Sequence, residues 1–413
     1  MKKATIVASI LLAASAVFTA CNKNEVESNQ LASISIQDAK ALFISSSNNG
    51  GNKLYGIQSS QLKSGDEDEV FEIKYFNGAG KEITKSNPSE VYNLKEFVVL
   101  MFGYEETYLV NKTSGKVFAF PQEYTPAFQE RPPFLEANKF QEDGNNNLYF
   151  ISQKVTSDKP GWVTLGDAKL FQLSLSSPSS LQFKQVSAAT DDHPFAFCAD
   201  KAGNIYYIGY NNSRYRKADG SFVPLTWNEG DPQIMLIWTG TDGQMYAAQG
   251  VSELGGMNVT LAKIQNGVFE PVREMSIRQP VRQEIFRVQG KMIYAQNGVL
   301  YNIANAADYS ETPCAIMPTH AVNNKLYNFD KKTFKLTKID VQTGVTSLVF
   351  DLDESKLGNY DIDNIISVSE TGITFSAVDL ANGNYVVAKI STNNSVVVQT
   401  TITGTVATVT ALN

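Results

Sequence analysis

The sequence predicts an all-β chain folded as a single β-propeller of four-stranded antiparallel blades, seven in number, with six or eight as alternatives. Three observations carry this. Strand and turn formers abound, with 18 Tyr, 23 Phe and 28 Gly among 413 residues, while charged residues reach only 19%. Short alternating segments recur between Gly, Asn and Asp turns, with no long helical period. A hairpin signature also repeats along the chain at the spacing of a propeller blade.

The repeated unit is a Gly, Asn or Asp turn, then an apolar residue, then an aromatic. Examples are Asn146-Asn147-Leu148-Tyr149, Gly203-Asn204-Ile205-Tyr206 and Gly243-Gln244-Met245-Tyr246. The aromatic anchors are Tyr55, Tyr108, Tyr149, Tyr206, Tyr246, Tyr294, Tyr327 and Phe375, seven steps averaging about 46 residues. Their recurrence points to blade packing rather than ligand contact. The Tyr294-to-Tyr327 step is tight for two full blades, and this favours seven over eight. A four-stranded sheet cannot bury both faces alone, and radial stacking answers that need. The strand-rich ends, Leu31–Ser45 and Ile390–Leu412, are placed to meet and close the ring.

One unit matches a known repeat. Asp200-Lys201-Ala202-Gly203-Asn204-Ile205-Tyr206-Tyr207, followed by Asn212, Arg214 and Lys217, resembles an NHL-type propeller repeat. The turns at Asp143-Gly144 and Asp242-Gly243 share part of the pattern. The resemblance implies the blade architecture. It selects no function, since partners in that family range over RNA, proteins and small molecules.

The amino terminus carries an address. Lys2 and Lys3 precede an apolar or small stretch, Ala4–Ala20, which ends at Cys21. This resembles the lipobox of bacterial lipoproteins, with Phe18 where that pattern usually has Leu. The resemblance implies a signal peptide at 1–20 and lipidation of Cys21. Asn22, in place of the Asp that often retains such proteins at the inner membrane, implies an outer-membrane lipoprotein on the periplasmic face or the cell surface. Residues 21–30 read as a polar tether similar to that of Bacteroidota lipoproteins, and 31–413 as the propeller. Loss of Lys2 and Lys3 moves the net charge from −7 to −9, which argues against non-specific nucleic-acid binding. Once Cys21 is lipidated, Cys198 and Cys314 remain, and they read as buried thiols or a single disulfide.

Chemistry-bearing residues are sparse. The two histidines, His193 and His320, lie in different units, and no catalytic signature is present, so no catalytic residue is assigned. Six of seven arginines fall between 214 and 287. Arginine makes planar two-pronged contacts to carboxylate or phosphate, so Arg214, Arg216, Arg278 and Arg282, with Trp227 as a stacking ring, are the candidate ligand-binding residues. Ordinary ion pairs with Glu229, Glu253, Glu274 and Glu284 are the competing account. Asp361 and Asp363 alternate along one segment and are the candidate metal ligands, for Ca²⁺; no other cofactor is expected. Two functions fit. One is a lipid-anchored, non-catalytic envelope protein that binds a glycan, a peptide or another envelope protein. The other is a propeller-type glycoside hydrolase or lyase, which needs a pair of carboxylates at its mouth.

Overall fold

The computed structural model describes residues 30–412 except 37–38, 47–52, 60–67, 87, 104–105, 122–123, 125–139, 144, 160–161, 178–180, 189–193, 201, 210–212, 228–232, 254–255, 279–284, 353, 370–371, 392, 394 and 403. The expected leader, Cys21 and nearly all of the expected tether fall outside the described residues, as do His193 and Arg282. Among the described residues no helix is long and apolar enough to cross a membrane.

The chain is a β-propeller. Six sheets run in simple chain order, each strand hydrogen-bonded to the next. They begin with Glu90–Asn93, Phe97–Phe102, Glu106–Asn111 and Val117–Ala119. Next come Phe140–Glu142, Asn147–Lys159, Trp162–Ser174 and Phe183–Gln185, then Pro194–Ala199, Ile205–Gly209, Arg214–Arg216 and Phe222–Pro224. Ile285–Val288, Lys291–Gln296, Val299–Asn302 and Ser310–Pro313 form the fourth. His320–Val322, Lys325–Asp330, Lys335–Ile339 and Thr346–Asp351 form the fifth, and Tyr360–Ser369, Gly372–Asp379, Asn384–Ser391 and Val396–Ile402 the sixth. A five-stranded sheet, Gln233–Thr239, Met245–Glu253, Gly256–Gln265 and Val268–Arg278, carries Thr226–Trp227 in parallel on its outer edge.

The remaining four-stranded sheet closes the ring. Thr405–Ala411, from the end of the chain, pairs antiparallel with Ala41–Ser46, which continues to Lys53–Ser59 and Asp68–Glu72. The expected meeting of the two strand-rich ends is therefore realised. A ninth, three-stranded sheet joins Leu31–Ile34, Tyr75–Asn77 and Glu82–Ile83; it bridges to the outer strand of the next sheet at Ser33 and Lys116 and packs Leu31, Ile34 and Tyr75 against that sheet's apolar side chains.

The nine sheets among the described residues correct the expected seven blades and the alternatives of six or eight. Two physical reasons account for the miscount. The interval from Tyr294 to Tyr327 holds complete strands because these shrink to three or four residues and turn in two. The ninth sheet is built from Leu31–Ile34 and Tyr75–Ile83, which lack the turn–apolar–aromatic signature.

First strands of neighbouring sheets touch one another and line the axis. Apolar clusters fill the gaps between successive sheets. Tyr206, Ile208, Met245 and Ala247 pack together in one such gap; Trp238, Tyr246, Met292 and Tyr294 do so in the next. The last gap joins Ile366 and Val387 to Phe43 and Tyr55 of the closing sheet. All eight anchor aromatics are buried, as the repeat required. Burial of side chains of this size is the main favourable term, about 1.5–3 kcal/mol each.

The Asp that opens the repeat has a mechanical purpose. Asp200 Oδ1 accepts the backbone N–H groups of Ala202 and Asn204, both at 2.9 Å, and Asp143 does the same for Asn145 and Asn147. The second carboxylate oxygen takes an O–H from the anchor ring: Tyr149 donates to Asp143 at 3.0 Å and Tyr246 to Asp242 at 2.8 Å. Tyr246 Oη also accepts Ala306 N–H from the neighbouring sheet at 3.0 Å. Tyr246→Phe should therefore cost about 1–3 kcal/mol, because it leaves the half-buried Ala306 N–H and an Asp242 oxygen without their partner. A urea midpoint that does not move would refute this role.

Candidate functional site

The described sequence candidates lie on several strands, and Arg282 falls outside the described residues. Arg214 and Arg216 sit half-buried on the short third strand of their sheet, paired across to Tyr207 and Ile205. Trp227 pairs with Phe269 near the start of the strand Val268–Arg278, and Arg278 is its last residue. Nine residues of extended chain separate those two levels by roughly 30 Å.

Asp361 and Asp363 also part company. Asp361 is exposed opposite Val378. A register shift between Ile362 and Asn364 follows, and Asp363 is half-buried. Its Oδ2 accepts the Val406 N–H at 2.9 Å and lies 3.5 Å from the Ser376 hydroxyl. Asp363 thus fastens the closing strand. Among the described residues no group of three or more His, Cys, Asp and Glu side chains is arranged to hold a metal ion. Cys198 and Cys314 are buried free thiols. Burial pushes the Cys198 thiol up, against hydrogen bonds from Thr239 and Gln141 that favour the thiolate.

His320 lies on the first strand of its sheet, with Nδ1 2.7 Å from Thr319 Oγ1. Burial holds its imidazole below the ordinary histidine range; an Asn364 hydrogen bond opposes this and Lys331 adds to it. The unfolded chain therefore binds this proton at a higher pH than the folded one. Stability should be complete above about pH 6.5 and fall as the pH drops below it towards the lower folded value. The slope of urea midpoint against pH between 7 and 5 should flatten in His320→Asn; an unchanged slope would show that other groups set it.

The structure builds a pocket that the sequence reading did not assemble. It measures about 320 Å³ and lies where three hairpin ends converge. The sheet of Gln233–Thr239 supplies Trp238, Thr239 and Thr241. The next supplies Arg287, Val288, Gly290, Lys291, Met292 and Ala304, and the one after supplies Asn324. Local sequence explains the shape. Gln289-Gly290 and Asn323-Asn324 all take positive φ, between 49° and 70°, which makes two-residue hairpin turns with the twist that strands prefer. The Gln289 N–H donates to Asn324 Oδ1, joining the two turns.

Pocket electrostatics are one-sided. Among the described residues, Arg287 and Lys291 are the charged lining residues and no carboxylate lines the wall. The nearby Asp242 is occupied by Gln244 N–H and Tyr246 Oη. Thr239 Oγ1 donates to Ala199 O at 2.8 Å, and Thr241 accepts from Asn305. Trp238 is 2% exposed, and its indole N–H is buried without a hydrogen-bond partner among the described residues. Val288, Met292 and Ala304 give an apolar floor. The arrangement suits an anion with hydrogen-bond acceptors. Arg287 was one of the clustered arginines but was not among the selected candidates. Its signal was a lone charge in the inner strand Ile-Phe-Arg-Val, two residues before the Gln-Gly turn.

No protein-family model matches the chain, and no curated protein matches it in sequence. Solved structures resemble it at low identity. Virginiamycin B lyase from Staphylococcus aureus with quinupristin shares 12% identity, over 84% of this chain and 95% of that one, at a TM-score of 0.30. An oligogalacturonate lyase in complex with manganese shares 7%, over 76% and 97%, at 0.39. Sqt1 from Chaetomium thermophilum shares 12%, over 85% and 98%, at 0.36. These neighbours include both lyases and a binding protein, so they leave the function undecided.

Proposed function

We propose that this chain is a non-catalytic binding protein of the cell envelope. Cys21 carries the lipid that holds it at the outer membrane, and the propeller presents its hairpin ends to a glycan, a peptide or a protein partner. The observation that supports binding is the pocket between Trp238, Arg287 and Asn324. It supplies cationic and neutral donors around an apolar floor, a composition suited to holding a ligand. The amino-terminal Lys2-Lys3, the apolar stretch and Cys21 support the address.

Two measurements test the proposal. Cells expressing the full chain should incorporate a labelled fatty acid, and Cys21→Ser should abolish the label; label retained in that variant would remove the anchor. A glycan array and an envelope-protein pulldown should then yield a partner that is recovered chemically unchanged. New reducing ends or unsaturated products on a polysaccharide panel would replace this reading with the polysaccharide-active enzyme.

A further inference from the structure

We infer that the pocket lined by Trp238, Arg287, Lys291 and Asn324 takes an acidic monosaccharide: a single sugar ring bearing one carboxylate. This rests on the binding function proposed above and names its ligand class. Size is the first argument. A volume of about 320 Å³ sits at the small end of ligand pockets, so the pocket holds a single sugar ring, free or at the end of a glycan.

Charge is the second argument. Arg287 and Lys291 have no carboxylate partner among the described residues, and no acid lines the wall to neutralise them. Two unpaired cations beside one cavity call for an anion, and a guanidinium matches a carboxylate in two-pronged fashion. The neutral groups complete the case. Thr239, Thr241 and Asn324 line the cavity with hydroxyl and amide groups. These groups serve hydroxyls rather than a second charge. Val288, Met292 and Ala304 offer the apolar face on which a sugar's C–H surface rests.

The test is calorimetric titration of the full chain in detergent with glucuronate, galacturonate, glucose and inorganic phosphate. At least one uronate should bind, and glucose and phosphate should each bind about tenfold more weakly or worse. Arg287→Gln and Lys291→Gln should each weaken the uronate about tenfold. Arg287 is exposed, so its replacement should leave the melting curve in place. Lys335→Ala removes an equal charge from a surface pair with Asp351 and should change nothing. Rising salt should weaken binding. Glucose or phosphate binding as tightly as the uronates would overturn the inference, as would an unaltered affinity in Arg287→Gln. Failure of both uronates, with a partner still captured on the array or pulldown, would overturn the ligand class and leave the binding function standing. Failure of every probe, array and pulldown would remove both.

Discussion

Cutting the chain after Gly404 should unfold it under conditions where the full chain is folded. The lost segment supplies the first strand of the closing sheet, paired with Ala41–Ser46 at six registered positions. It also takes away Val406 and Leu412, both buried, and the Val406 N–H that Asp363 accepts. Lys112 Nζ donates to Leu412 O at 2.9 Å, and the Leu412 N–H to Lys40 O at 2.7 Å. Two buried apolar side chains and several strand hydrogen bonds sum to on the order of 5–10 kcal/mol. That equals the whole stability of many domains. Without the strand, Phe43 and Ile44, buried at 0% and 2% exposure, border an open edge. A circular-dichroism melt and limited proteolysis read the effect. A peptide of residues 405–413 added in trans should restore part of the fold. A truncated chain that melts with the intact one would show that the sheet does not need this strand.

Gly344→Ala should be the most damaging single-methyl change examined by the same melt. Gly344 has φ of 68°, and an added Cβ would stand 2.0 Å from the Pro313 carbonyl oxygen of the neighbouring sheet. Backbone cannot step aside as a side-chain tip can, so strain and overlap combine. The expected loss is about 2–4 kcal/mol. Gly383 is the natural control. Its φ is 72°, yet nothing lies within 4 Å of the added carbon. Gly383→Ala should cost only the conformational part, about 1–2 kcal/mol. Equal losses at both positions would mean that the approach to Pro313 is unimportant.

Most of the architecture was legible because it rests on local rules repeated many times. Tyr149, Tyr206 and Tyr246 announce second strands, and Asp143, Asp200 and Asp242 announce the turns before them, since each carboxylate serves its own loop. Leu31–Ile34 and Tyr75–Asn77 obey no such rule. Their pairing joins segments forty residues apart, and neither carries an anchor. The pocket was hidden for a related reason. Thr241, Gly290 and Asn324 are distant in sequence and meet only when three sheets are stacked. The charge of Arg287 was visible, but its exposure on an axial strand was not. Asp363 looked like a ligand because its alternation with Asp361 is plain, whereas its bond to Val406 depends on ring closure.

The small sheet of Leu31–Ile34 has a mechanical consequence. It grips the next sheet through the Ser33–Lys116 bridge and the Ile34 N–H to Gly115 O bond at 2.9 Å. A pull applied at residue 30 loads this strand first, before force reaches Ala41–Ser46 in the ring. Leu31, Ile34 and Tyr75 are also buried with Val98, Leu100 and Phe102 of the next sheet and with Leu42, Ile44 and Leu54 of the closing sheet, so load entering there is passed to the ring. The sheet acts as a rivet that ties the strand after residue 30 into the wheel that carries the pocket.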